Sequence, residues 1–467
     1  MYSEFLKSRH ALCRQLIERL KGDFAYVSVL GKQVTGDSIR VTTVSVSVDE
    51  TMEQQSGFVA KLYNGYGYSE YSFSDITEDT IDEIESEIRK SAQLTRAQME
   101  QCLKMAVMEV PLLTADYERP MEGKCYTIPE IVDRLTALKD QIHAVSDKIA
   151  QVIMRYECYE CSACFFSPNR SLTQDYSWCI VSGTAIAREG AVMQSARDLA
   201  ACNDREKAFS LMTEKARPLA ELAVELLGAE NIVPGVYDII TTPSITGLIA
   251  HEAFGHGVEM DMFVKNRARS RHYINKPVAS PLVNMHDGAA AVESCVGYFF
   301  DDDGVAAHDT QIIKDGILLT GISDAVSAMQ LGSVPTGNGR RQEPSHKAYT
   351  RMTNTFFESG RDKLEDMIAS VEHGYMLFST DNGMEDPKNW NIQCVAQYGR
   401  EIRNGKFTGK IVAPVVMSGY VPDLLMSVSM VSDCWEVIGS GHCGKGYKEW
   451  VTVSDGGPYL KAKCKLG

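Results

Sequence analysis

The chain has 467 residues, 44% of them hydrophobic and 23% charged, which excludes a wholly disordered or fibrous protein and predicts two or three domains of about 150 residues each. Its 62 acidic against 47 basic residues leave a formal charge of −15, which argues against a nonspecific grip on nucleic acid or anionic lipid. No apolar run approaches the roughly 18 residues of a membrane span, and the charged start MYSEFLKSRHALCRQLIERL lacks a signal-peptide core, so a cytoplasmic protein is expected.

Apolar positions Phe5, Leu6, Leu12, Leu16, Ile17 and Leu20 predict a helix over 3–22. Strands follow at 24–31 and 39–48, then a loop through VDETMEQQSG and a hairpin over 57–74. A long helix is predicted over 75–104, its acidic start at the favourable N-terminal end. A second fits 127–150, opened by Thr127, Pro129 and Glu130. Strands return from Val152 to about Ile186, interrupted by a turn at 167–172. The polar stretch 188–205 is the strongest junction, dividing an N-terminal domain over 1–190 from a C-terminal one over 191–467.

Past that junction a helix is expected over 207–229, kinked or divided by Pro218. A buried strand at VYDIITTP leads into a helix, SITGLIAHEAFGHGVEMDMF. Short β pieces broken by glycine follow, with one helix at 361–373. The fold class is therefore α+β: an N-terminal α/β domain with a mixed sheet and long helices, and a mostly β C-terminal domain carrying one conspicuous helix.

The thirteen cysteines form no regular framework and read as buried, reduced thiols. Cys158, Cys161 and Cys164 mimic an iron–sulfur run, but they sit in an aromatic, strand-like segment that puts successive thiols on opposite faces. They are taken as structural.

The conspicuous helix contains His251-Glu252-Ala253-Phe254-Gly255-His256. Two imidazoles and a carboxylate within six residues suit a metallopeptidase, which needs nitrogen ligands for zinc and a base for the attacking water. Histidines five apart diverge by about 140° on a regular α-helix. A π-type turn would bring them together, and Gly255 and Gly257 offer the backbone freedom for one. Zinc needs a third ligand, for which His272, His286, His308, His346, His373, His442, Cys434 and Cys443 are candidates. His442 and Cys443, in the glycine-rich segment 441–446 read as a loop, are close rivals on chemistry.

HEAFGHGVEMD at 251–261, FDDDGV at 300–305, PTGNGRR at 335–341, RMTNTFF at 351–357 and GHCGKG at 441–446 together resemble the TldD family of cytoplasmic zinc metallopeptidases, within the TldD/PmbA superfamily once described as modulators of DNA gyrase. The resemblance implies one zinc per chain held by His251, His256 and Cys443, with Glu252 as general base, and a metallopeptidase domain over 191–467. Because the zinc motif is present, the chain resembles the catalytic branch rather than the TldE/PmbA-type branch, which lacks it. The sequence after Gly446, YKEWVTV, departs from the family's usual Asp-, Gly- and Gln-rich pattern.

The expected activity is zinc-dependent hydrolysis of short or unfolded peptides, with an inactive TldE/PmbA-type homologue or a second copy as partner. Arg340, Arg341, Arg351, Asn354 and His442 are substrate-binding or structural candidates. The basic residues Lys265, Arg267, Arg269, Arg271 and Lys276 read either as a peptide-carboxylate site or as a salt-bridged face. The alternative function is a noncatalytic peptide-binding or assembly protein with a structural metal.

Overall fold

The computed structural model describes residues 2–51, 54–102, 104–294, 296–446 and 449–467. Helix α1 (Glu4–Leu20) opens on Ser3, whose hydroxyl accepts from the Leu6 amide, and turns Leu6, Cys13, Leu16, Ile17 and Leu20 inward. Strands β1 (Val27–Thr35), β2 (Asp37–Thr42), β3 (Val46–Glu50), β4 (Gln55–Tyr63) and β5 (Tyr68–Phe73) follow. The single strand expected over 39–48 is instead a β2–β3 hairpin. Thr42 and Ser45 close the turn through backbone and hydroxyl bonds, and Val44, Val46 and Val48 find no core to face.

Helix α2 (Ile81–Met99) ends earlier than expected, and β6 (Leu113–Arg119) was not anticipated. Helix α3 (Ile128–His143) begins with a reciprocal Thr127–Glu130 capping box. It stops short of 150 because a turn from Ser146 delivers Ile149 to β7 (Ile149–Ser167). Strands β8 (Arg170–Glu189) and β9 (Val192–Cys202) complete a nine-stranded sheet. Its spine is β7, which pairs with β8 along one edge and with β2 and β1 in succession along the other.

The division expected at 190/191 falls in the turn between β8 and β9. Strand β9 pairs with β8, and helix α4 (Arg205–Glu225) joins the same core as Cys158, Val181 and Ala200, so both go with the first sheet. As an edge strand β9 is only half buried, which is why its sequence reads as polar. Helix α4 runs unbroken past Pro218. The three cysteines of β7 are buried on alternating faces: Cys158 and Cys164 under the helices, Cys161 on the opposite face with Tyr159, Trp178 and Val296. That opposite face packs on the second half of the chain, where Phe165 meets Phe300.

The second half is built on β10 (Gly235–Thr241), helix α5 (Pro243–Leu248), helix α6 (Met260–Val264), β11 (Met285–Asp287), β12 (Thr310–Lys314), β13 (Ile317–Leu318) and helix α7 (Ala325–Leu331). There follow β14 (Gly339–Arg340), β15 (Tyr349–Thr350), β16 (Asn354–Phe357), helix α8 (Leu364–Ala369), β17 (His373–Asp386), β18 (Asn391–Arg403), β19 (Lys406–Val412), β20 (Val415–Tyr420), helix α9 (Val421–Met426), β21 (Met430–Lys445) and β22 (Glu449–Leu466). Apart from the β14–β15 pair, these strands form one sheet that curls on itself: β10 pairs with β17 and β22, closing a ring through β18 and β20. Ile245, Leu248, Ile249, Ala253 and Phe254 pack in the core this sheet encloses, against Leu377, Cys394, Met417 and Leu460. Segment 441–446, expected as a loop, is strand through Lys445, because β22 supplies its hydrogen-bond partners despite the glycines.

The halves are joined by buried ion pairs. Lys61 of β4 lies 2.7 Å from Asp303, and Arg341 lies 3.1 Å from Glu70 of β5. No helix among the described residues is long and apolar enough to cross a membrane.

Candidate metal centre

The segment read as one helix is four pieces. After α5 the chain widens into a π-turn over Ile249–Gly255, tightens into a 3₁₀ turn over His256–Val258, and resumes as α6. The His256 amide donates to the His251 carbonyl, the five-residue bond that stacks positions 251 and 256 on one face. Gly255 and Gly257 take ordinary negative φ rather than the left-handed region. Gly255 is required by close approach, since a Cβ there would stand 2.2 Å from the Met352 Sδ.

The imidazoles of His251 and His256 are nearly perpendicular, their centroids 5.2 Å apart. Cys443 comes to them from β21, its Sγ 3.5 Å from His256 Nε2. One ligand atom from each of the three residues lies within 4.8 Å of the others, the only such group of three or more His, Cys, Asp or Glu among the described residues. Tetrahedral zinc with ordinary Zn–N and Zn–S bonds sets a nitrogen and a sulfur ligand about 3.6 Å apart, close to the 3.5 Å between His256 Nε2 and Cys443 Sγ. The donor set, two imidazoles and a thiol, also suits zinc. Burial alone would raise the Cys443 thiol, but His256 and His251 outweigh it and hold the group well below its usual range, favouring thiolate.

Glu252 stands beside this group, its carboxylate 3.9 Å from His256 Nε2, with part of its side chain open to solvent. Burial pushes it above the usual carboxylate range, against the pull of both histidines.

Of the other candidates, Arg351 is fully buried and donates to the carbonyls of Cys443 and Glu449, fixing the strand that carries the thiol. Arg340 donates to the Met352 and Thr452 carbonyls. Arg341 is committed to Glu70 and the His346 carbonyl, and Asn354 to Ser294 and the Gly288 carbonyl. His442 lies exposed on β21, one residue from Cys443 and so on the opposite face. Segments 300–305 and 335–341 build the joint between the sheets: the Gly339 and Arg341 amides donate to Asp301 and Asp302. His286, His346 and His373 pair with carboxylates away from this group. The basic stretch after α6 is spent locally, Lys265 on Asp261, Arg271 on the Phe263 carbonyl and Lys276 on the His272 carbonyl.

Four groups around the site escaped the sequence reading. Glu259 and Lys445 form an ion pair behind His256. Glu385 of β17 lies against Gly257, held well above its usual range by desolvation that outweighs His256. Asp455 of β22, near His251, is pushed up to about 6 by burial. Glu259, between Val258 and Met260, carried a local signal as a charge among apolar neighbours; Lys445 and Glu385, in glycine-rich and polar surroundings, carried none.

Residues 234–463 match the family described as the PmbA/TldA metallopeptidase C-terminal domain. A metalloprotease of Methanocaldococcus jannaschii is 26% identical over 445 residues, covering 93% of this chain and 95% of its own. The chain belongs to the TldD/PmbA family. A zinc metalloprotease TldD homolog of Saccharolobus solfataricus is 27% identical over 357 residues, 75% of this chain and 77% of that relative. TldE from Thermococcus kodakarensis shares the fold, with a TM-score of 0.69 at 18% identity over 97% of this chain and 99% of that one. So does a Thermotoga maritima protein described as a modulator of a DNA gyrase, with a TM-score of 0.77 at 16% identity over 97% and 99% of the two chains.

Proposed function

We propose that this chain is a zinc-dependent peptidase of the catalytic branch of its family, with His251, His256 and Cys443 as metal ligands and Glu252 as general base. The observation that carries this reading is the meeting of two imidazoles and a thiol within 4.8 Å of one another beside a mostly buried carboxylate. When bound, one zinc ion supplies a Lewis acid that makes water a nucleophile near neutral pH and polarises a peptide carbonyl. Glu252 accepts the proton of the attacking water and returns it to the departing amine. The π-turn and the 3₁₀ turn that follows it carry both imidazoles and that carboxylate on one continuous segment, so the base is positioned beside the ligands before substrate arrives.

Because His251 and Cys443 are buried and His256 and Glu252 are only partly open, the substrates are short or unfolded peptides. TldE is a fold relative of this chain, and an inactive homologue of that type or a second copy is the proposed partner. The chain is assigned to the cytoplasm.

The test is elemental analysis of wild type, Cys443→Ser and His442→Ser chains purified in parallel, followed by peptide cleavage. One zinc per chain, lost with Cys443 and kept with His442, supports the site. Glu252→Gln should keep the metal and abolish cleavage. Cleavage that survives Glu252→Gln overturns Glu252 as the base, and a wild type that binds no zinc after reducing reconstitution overturns the zinc assignment. A wild type that holds zinc and binds peptides without cleaving them favours the noncatalytic peptide-binding protein.

A further inference from the structure

We infer that Glu259 and Lys445 act as a positioning clamp that locks His256 in its metal-binding orientation and sets the affinity of the centre. This rests on His251, His256 and Cys443 being the zinc ligands. The two imidazoles are held differently. His256 presents Nε2 toward the Cys443 sulfur, and its other nitrogen, Nδ1, lies 3.2 Å from Glu259 Oε2. A carboxylate there keeps the proton on Nδ1 and leaves the Nε2 lone pair for a metal. His251 has no equivalent partner on its Nδ1 among the described residues.

Glu259 is itself held. Its Oε2 is 3.0 Å from Lys445 Nζ, and the ammonium completes its coordination with Asp261, at 2.7 Å, and the Thr350 carbonyl, at 2.9 Å. The Glu259 side chain is 2% exposed and that of Lys445 is 12% exposed, so water screens the pair little. Connectivity makes the pair more than a local brace. Glu259 lies three residues beyond His256, and Lys445 two residues beyond Cys443 on the same face of β21. One buried ion pair therefore ties together the two chain segments that deliver imidazole and thiolate. It also gives a reason for a lysine after the Cys-Gly pair.

The experiment is zinc affinity, by competition with a chromophoric chelator, for full-length wild type, Glu259→Gln, Lys445→Met, the double variant and Lys445→Arg. Melting of each metal-free chain is recorded alongside. The expected result for Glu259→Gln is zinc bound about 10- to 100-fold more weakly, measured where the metal-free variant remains folded. The double variant should lose no more than the larger single loss, because the residues act as one unit. Lys445→Arg, which keeps the charge, should recover most of the affinity lost in Lys445→Met. Cobalt(II)-loaded Glu259→Gln should show an altered visible spectrum, a signature that a merely structural brace would not produce.

Zinc affinity within twofold of wild type in Glu259→Gln, or losses that simply add in the double variant, overturns the clamp. A lowered metal-free melting temperature with unchanged affinity does the same. These failures are distinct from failure of the metal assignment, in which wild type itself binds no zinc or Cys443→Ser binds it normally.

Discussion

Gly383 of β17 lies directly against Glu252: a Cβ at 383 would stand 2.5 Å from the Glu252 Cγ. The strand thus forms a wall beside Glu252, the proposed base, and no larger residue fits without moving one of them. Gly383→Ala should lower peptide hydrolysis about 10- to 100-fold, the cost of a misplacement near 1 Å at a reacting group. Zinc content should stay at the wild-type value. Steady-state cleavage beside elemental analysis checks this, and unchanged hydrolysis would show that the wall does not orient the base.

Arg351→Met removes the donors that hold the Cys443 and Glu449 carbonyls. Each carbonyl left buried without a partner costs about 1–3 kcal/mol, and the hairpin carrying the thiol loosens with it. The metal-free chain should melt earlier, and the increase in melting temperature on adding zinc should shrink. Calorimetry with and without zinc separates the two effects.

The joint between the halves offers a test of stability away from the site. Lys61→Met would leave Asp303, with its side chain 2% exposed, without its 2.7 Å partner. Breaking one side of such a buried pair costs about 3–5 kcal/mol, whereas replacing both members by apolar residues is close to neutral. Urea unfolding of Lys61→Met and of Lys61→Met/Asp303→Leu should therefore show a large loss in the first and substantial recovery in the second.

Acid sensitivity should reflect His10, whose ring lies edge-on to Phe166 and whose Nε2 is 2.8 Å from the Tyr2 hydroxyl. Burial, helped by Arg14, pulls its pKa down from 6.5 to about 4. Between those values the unfolded chain binds more protons than the folded one, so this contribution to stability rises with pH and is fully present above about 6.5. It is lost as the pH falls toward 4. His10→Gln should flatten the urea midpoint across that window, and an unchanged slope would remove His10 from the account.

Much of this was legible in the sequence. The capped start of α3 and the two strands meeting at the 167–172 turn followed from local chemistry, and the five-residue histidine spacing already called for a helix that widens or stops. What escaped depended on distant partners. Segment 441–446 reads as loop from its glycines, and only pairing with β22 makes it strand. Strand β6, at the edge of its sheet, does alternate, with Leu113, Ala115 and Tyr117 half buried between exposed Thr114, Asp116 and Glu118, but three apolar positions are too short a signal to stand out. Glu259 and Lys445 look like ordinary charged residues until β21 is laid beside the 3₁₀ turn, since nothing local announces a contact across so much chain.

That separation also bears on when the centre exists. Cys443 and the imidazole it faces are 187 positions apart. At ribosomal speeds of about 5–20 residues per second, some 10–40 s pass between the synthesis of one and the other. Throughout that interval the nascent polypeptide holds two histidines and a carboxylate but no thiolate to complete the set. On the proposed assignment, the nascent chain's own centre is therefore incomplete while its earlier segments are still unfolded. On that same assignment, a truncated product that stops before β21 lacks the thiol ligand, and it should bind zinc far more weakly than the full chain.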